Sequence, residues 1–181
     1  MKKILMTIAA AFAAVSMNAQ IYAGGGIGFK SVSYDGESKS EFSIAPEVGY
    51  TLDENSAIGI TLGYTSYQND DKALSVAPYY RYNFAKFGNV SLFADGTLSF
   101  RQYTEKDGNR AENKDLKTNT FGLGVKPGIA VALNDKLSFV THCGFIGYTN
   151  EKTDVDGAKA TSTFGLDLNS LNLSFGLYYN F

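Results

Sequence analysis

Beyond its first twenty residues the chain has no apolar run long enough for a membrane-spanning helix, which needs about 20 residues, so a helical membrane protein is excluded. Tryptophan is absent, and there are one cysteine, one histidine and three prolines in 181 residues. A single thiol, Cys143, forms no internal disulfide, so stability must come from elsewhere. A single imidazole, His142, leaves no histidine-rich zinc site, and no nucleotide or dinucleotide motif is present. Positive charge is also scarce. Setting aside Lys2 and Lys3 leaves 14 basic residues against 18 acidic ones, a net charge of −4. Nucleic acid calls for a basic face, so it is not an expected partner.

The two excluded lysines open a leader. Lys2 and Lys3 precede an apolar run from Ile4 to about Val15, and Ala19 is a small residue at a cleavage point before Gln20. The pattern is that of an export signal peptide over 1–19, removed to leave one domain over 20–181. Met17 is larger than the residue usually found two places before such a cut, and no Cys follows to carry a lipid anchor.

What is abundant is alternation. Period-two apolar faces run through Ile21–Phe29, Phe42–Tyr50, Ile58–Tyr64, Leu74–Phe84, Val90–Phe100, Phe121–Leu133, Leu137–Phe145 and Leu171–Phe181. None of the residues on these faces is charged, although 19% of the chain is. The opposite face is small and polar. It carries Gly24, Gly26, Gly28, Gly49, Gly59, Gly63, Gly122, Gly124, Gly128, Gly144 and Gly176. A soluble barrel of this length needs a large apolar interior, which such a face does not supply. An inside-out arrangement does fit, with apolar residues turned to lipid and small polar ones turned inward. The expected fold is all-β, an eight-stranded antiparallel up-and-down transmembrane β-barrel, monomeric, with its sheet edges removed by closure.

The connections fit two rims of different character. Those at Asp53–Ser56, Ala85–Asn89 and Asn134–Lys136 are short. Those at Tyr34–Ser40, Gln68–Ala73, Thr104–Lys117 and Thr149–Thr161 are longer and polar. Outer-membrane barrels place short turns at the periplasmic rim and long loops outside. Two features disturb the pattern. Pro46, Pro78 and Pro127 sit mid-strand at equivalent positions, where a missing N–H breaks the ladder, and bulges or bends are expected there. In the last strand Phe164, Leu166 and Leu168 are even-numbered whereas the apolar residues from Leu171 onward are odd, so one extra residue is expected near Asn169 or Ser170.

The chain ends Ser174-Phe175-Gly176-Leu177-Tyr178-Tyr179-Asn180-Phe181. Ser174, Gly176, Tyr179 and Phe181 resemble the terminal signal read by the barrel-assembly machinery, and aromatic rings are favoured at the membrane interface. With Pro46-Glu47-Val48-Gly49-Tyr50 and Lys126-Pro127-Gly128-Ile129, the chain resembles the small porin-family barrels of Gram-negative bacteria, akin to the OmpA/OmpX-type eight-stranded class. The resemblance implies residence in the outer membrane among its lipids and lipopolysaccharide, in the cell envelope. It implies no cofactor and no single activity, since the family includes adhesins, envelope-stabilising proteins and narrow channels.

Parity places Lys30, Glu47, Arg81, Asp95, Arg101, Lys126 and His142 inside, with Asp95 on the strand next to both Arg81 and Lys126. These charges form either an ion-paired plug or a gate whose pairs rearrange, since eight strands enclose a space that side chains can fill. A lipid-modifying enzyme of this class needs a Ser–His pair on the lipid-facing wall. His142 faces inward and no Ser lies two residues on, so no catalytic residue is expected. The loop carrying Glu105, Lys106, Asp107, Arg110, Glu112, Lys114, Asp115 and Lys117 is either a solvated rim or a binding surface. Asp154 and Asp156 near Gly157 lack the full calcium-loop spacing. The expected role is structural or surface-interacting; a narrow channel for ions or small solutes is the alternative.

Overall fold

The computed structural model describes residues 20–34, 37–67, 70–106, 116–155, 157–167 and 173–181, and only the backbone of 29–34, 37–39, 167 and 173. The expected leader, the Lys30 side chain, most of the charged loop after Lys106, Asp156 and the Asn169–Ser170 segment lie outside that description. Alternation of apolar and small residues produces strands throughout. β1 (Ile21–Tyr34), β2 (Glu37–Thr51), β3 (Ser56–Tyr67), β4 (Lys72–Phe87), β5 (Val90–Glu105) and β6 (Leu116–Ala132) are continuous. β7 runs in two segments, Leu137–Cys143 and Phe145–Thr153, and β8 in two, Thr161–Asp167 and Leu173–Asn180. Each strand pairs antiparallel with the next, and β8 returns to β1 with Tyr22 opposite Asn180. The sheet is a closed eight-stranded up-and-down barrel.

Outward positions form an apolar belt. Ile58, Ile60, Leu62, Val48, Leu98, Leu123 and Val125 are exposed around its middle, and aromatic rings mark both ends. Tyr80, Tyr82, Phe84 and Phe87 lie toward the short turns, and Phe42, Tyr64, Phe100, Tyr148 and Phe164 toward the long connections. An apolar band between aromatic girdles is the outer surface of a barrel that sits in lipid.

The first long connection is much shorter than expected. The β1–β2 ladder continues to Tyr34 opposite Glu37, so only 35–36 separate the strands where Tyr34–Ser40 was read as loop. The polar Ser, Lys and Glu residues there form the end of a hairpin rather than a free loop, because ladder pairing needs backbone groups and not apolar side chains.

Each proline removes pairing on one side only. Pro46 stays opposite Gly25 of β1, while the β2–β3 ladder skips from Ile44–Tyr64 to Glu47–Thr61. Pro78 stays opposite Ile60, while the β4–β5 ladder skips from Val76–Phe100 to Tyr79–Thr97. Register is kept across both gaps, so neither is a bulge. Pro127 differs. It stays opposite Ala94 of β5, but toward β7 the ladder skips from Gly128–His142 to Val125–Ile146. Three steps on β6 face four on β7, so β7 carries one extra residue there, which is a β-bulge. Gly144 sits at this point with φ 80°, a left-handed conformation that glycine adopts freely.

The bulge corrects one expectation. Phe145 was placed on the outward face, but past Gly144 the parity inverts. Ile146 and Tyr148 are exposed, and a methyl group on the inward Gly124 or Gly147 would fall within 3 Å of the Phe145 ring. β8 inverts beside it. Phe164 and Leu166 are exposed before the break, and Phe175, Leu177 and Tyr179 after it. Cys143 pairs with Leu173 but Phe145 with Asp167, so two steps on β7 face six on β8. The even-to-odd switch read in the last strand is present, but β8 gains four residues on β7 across it rather than the one expected, and β7 carries a switch of its own.

Candidate functional site

The interior is the candidate site. Seven of its inward glycines are used in two ways. Toward the short turns each faces an aromatic ring directly across the ladder: Tyr22 over Gly49, Tyr79 over Gly59, Phe93 over Gly128 and Tyr178 over Gly24. A Cβ on any of these glycines would come within 3 Å of the ring. Toward the long connections the partner is a serine. Ser43, Ser75 and Ser99 lie across from Gly28, Gly63 and Gly122, each with its hydroxyl over the glycine. Rings over glycine fill the lower lumen, and hydroxyls over glycine leave the upper lumen hollow.

The inner face is therefore not uniformly small, as the sequence suggested. Phe93 is wholly buried, and Tyr22, Tyr79 and Tyr178 are nearly so. These four rings were missed because inward-facing aromatics were hidden among the outward ones around them. The usable signal is an inward-parity aromatic on a strand adjoining an inward glycine.

Within the rings lies a compact ionic cluster. The Arg81 guanidinium donates from Nε to Asp95 Oδ1 and from Nη2 to Asp95 Oδ2, each at 2.8 Å, a bidentate pair. Arg81 Nη2 also reaches Glu47 Oε1 at 3.4 Å. The guanidinium carbon sits 4.2 Å from the centre of the Phe93 ring, 5.1 Å from Tyr79 and 5.9 Å from both Tyr22 and Tyr178. Such a cage replaces lost hydration with cation–π attraction.

The carboxylates are saturated in turn. Glu47 accepts from Tyr79 Oη at 2.5 Å, Tyr178 Oη at 2.9 Å and Thr61 Oγ1 at 3.1 Å. Tyr22 Oη donates to Tyr79 Oη at 2.6 Å, because the Tyr79 proton is already directed to Glu47. Asp95 accepts a third bond from His142 Nε2 at 2.8 Å. That contact directs the Nε2 proton at Asp95 and leaves Nδ1 to face the Ser174 hydroxyl, 3.4 Å away. Buried charges of this kind are tolerable only when paired and hydrogen-bonded.

Of the seven residues read as facing the lumen, Lys30 has its side chain outside the description, and the structure brings Glu47, Arg81, Asp95 and His142 together. Lys126 stands opposite Asp95 in register, but among the described residues the ion pairs of Asp95 are with Arg81 and His142. Arg101 is farther up the barrel, exposed, donating to Tyr67 Oη at 2.6 Å. Above the cluster is a cavity of about 380 Å³, reached by Glu47, Asp95, His142, Lys126 and Ser174 below and by Ser75, Ser99, Arg101 and Thr120 above. At the chain end Ser174 and Gly176 line this cavity, whereas Tyr179 and Phe181 stack edge-to-face 5.1 Å apart, with Lys136 Nζ 5.7 Å from the Tyr179 ring. Among the described residues no cluster of metal-ligating side chains occurs.

The family model for the outer membrane protein beta-barrel domain matches residues 4–181. The chain belongs to this family. Among solved structures, neisserial surface protein A is similar at 21% identity and a TM-score of 0.54, over 89% of this chain and 97% of that one. A major outer membrane protein from Thermus thermophilus is similar at 12% identity and a TM-score of 0.50, over 90% of this chain and 98% of that one. At such identities these likenesses concern the fold. No curated protein matches the sequence significantly. The protein is thus an outer-membrane β-barrel, and its interior combines an aromatic and ionic lower half with a polar cavity above.

Proposed function

We propose that this outer-membrane barrel serves a structural or surface-interacting role in the cell envelope and conducts no ions along its axis. The observation that carries this reading is the lower lumen. Phe93, Tyr22, Tyr79 and Tyr178 fill the cross-section around a fully paired Arg81–Asp95–Glu47 cluster. Opening a path there means moving a guanidinium away from two carboxylates and four rings at once, without water to replace them. The membrane is reached through export by the 1–19 leader, and insertion is guided by the Ser174–Phe181 terminus. The partners are outer-membrane lipids and lipopolysaccharide, and a surface ligand acts at the long-connection rim. The protein is monomeric.

Single-channel recording in planar bilayers tests the reading. The purified barrel, reconstituted under conditions where it keeps its heat-shifted electrophoretic mobility, is expected to give no discrete conductance steps. Regular steps would favour the narrow-channel alternative and overturn the closed plug. Lipid A recovered from cells with and without the protein is expected to be identical; a changed acylation pattern would instead mark a lipid-modifying enzyme.

A further inference from the structure

We infer that the outward groove across β5, β6 and β7, at the upper edge of the apolar belt, docks a phosphorylated glycolipid of the outer leaflet, with an acyl chain below and a phosphate above. The inference rests on the reading that outer-membrane lipid is a partner, and it gives that partner a place. Three observations lead there. First, the groove joins two chemistries. Its volume is about 520 Å³, and Leu74, Val76, Phe100 and Phe121 form its apolar part, with the two phenyl rings 5.2 Å apart. Gln102, Asn119, Asn150 and Lys152 border it toward the long connections. Register sets the two rows side by side. Phe100 pairs with Phe121 and Phe121 with Asn150; two residues on, Gln102 pairs with Asn119 and Asn119 with Lys152.

Second, charge on this wall is sorted by face. Lys72, Lys117 and Lys152 are exposed on the outward parity of β4, β6 and β7. The acids of β4 to β7 are Asp95, Glu105 and Glu151; all take the inward parity, and Glu151 accepts there from Thr120 Oγ1. Asp154, just past β7, lies across from Lys117, its N–H bonded to the Lys117 carbonyl oxygen, and offsets one lysine of the three. The Lys152 ammonium makes no ion pair among the described residues. At the same rim of β2 and β3 the described outward residues are Ser40, Phe42, Tyr64 and Ser66, none of them charged. Third, a donor stands beside Lys152. Gln102 Nε2 donates to Asn119 Oδ1 at 3.0 Å, which leaves the Asn119 NH2 group to an outside acceptor. Asn150 directs its own NH2 to Ser162 Oγ at 2.9 Å and Tyr148 Oη at 3.4 Å, so that edge of the groove is held in place. An ammonium and an amide NH2 at facing register positions suit phosphate oxygens, and the rings below them suit a chain that stays in hydrocarbon.

The test uses the refolded barrel in non-ionic detergent and phosphate-free buffer. Side-chain amide NMR signals of Gln102 and Asn119 are followed while bis-phosphorylated lipid A, or the same lipid A with its phosphates removed, is added. Saturable shifts are expected with the phosphorylated form, and binding at least about fivefold weaker without phosphate. Lys152→Gln is expected to weaken binding of the phosphorylated form by about fivefold, the worth of one lysine at an anionic lipid surface. Lys152→Met serves if the first variant does not keep its heat-shifted mobility. Lys136→Gln, at the short-turn rim, is expected to bind as the parent does. Shifts that ignore the phosphates, or a folded Lys152 variant that binds as the parent does, overturn the site and leave the lipid partner standing. Saturable shifts with neither form overturn both.

Discussion

At the scale of single residues, Arg81 decides most. Among the described residues it is the cation bonded to both Glu47 and Asp95, and four rings surround it. Removing one partner of a buried ion pair strands the others and costs about 3–5 kcal/mol. Arg81→Leu is therefore expected to lower unfolding free energy in detergent by that amount, read from urea titration of the far-ultraviolet circular dichroism. Adding Glu47→Gln and Asp95→Asn to the same chain should recover much of the loss, because the stranded charge is then gone. If the triple variant is no more stable than Arg81→Leu alone, charge stranding is not the cause. Asp95→Ala acts in the opposite sense, leaving Arg81 and His142 without their shared acceptor, and its thermal midpoint should fall as well.

The glycines give a second residue-level contrast. A methyl group at Gly128 would press on the Phe93 ring and on the Thr141 carbonyl oxygen, whereas one at Gly165 would meet nothing within 4 Å. Forcing extra volume into a packed interior costs about 1–3 kcal/mol. Gly128→Ala should lose about that much, while Gly165→Ala should stay within about 0.5 kcal/mol of the parent. Equal effects at the two positions would remove the ring-over-glycine account.

At the scale of elements, Gly144 and its extra residue set the direction of half a strand. Before it His142 points into the lumen; after it Phe145 does, and Ile146 and Tyr148 face outward. Deleting Gly144 slips every later residue of β7 by one place, and a one-residue slip turns an entire apolar set to the other face. The deletion variant is expected to lose its heat-shifted mobility on gels, showing that the barrel no longer closes. Retention of the shift would mean that β7 absorbs the change in its terminal connection.

Much of this architecture could be read from the chain beforehand. Strand number, the outward apolar face of β2 to β5 and the parity change in β8 all follow from period-two patterning over long stretches. The β7 bulge did not, since Thr141, Cys143 and Phe145 continue the same odd-numbered run and disguise it. The cluster of Glu47, Arg81, Asp95 and His142 shares inward parity, so its members were nameable. Which of them touch was not, because Lys126 and Arg81 both adjoin Asp95 in register and only side-chain geometry separates them. The rings of Tyr22, Tyr79, Phe93 and Tyr178 escaped because alternation reports which face is apolar on average, and four large residues on a glycine-rich face are averaged away.

At the scale of the whole molecule, the two uses of glycine divide one cylinder into unlike halves. Where rings lie across glycine, side chains from β1, β3, β4, β5, β6, β7 and β8 pack into one cluster. Where hydroxyls lie across glycine, opposite walls do not touch and a cavity separates them. Native-state amide exchange in detergent should show this as stronger protection for Phe93–Thr97 and Tyr79–Arg81 than for Leu74–Val76 and Phe100–Gln102, although all lie in continuous ladders. A mechanical asymmetry follows. Squeezing the cylinder into an ellipse must compress rings in one half but only rearrange solvent in the other. The end near the short turns thus acts as a stiff hub, and the opposite rim as a compliant collar that can change its outline to suit whatever it meets, leaving the hub undisturbed.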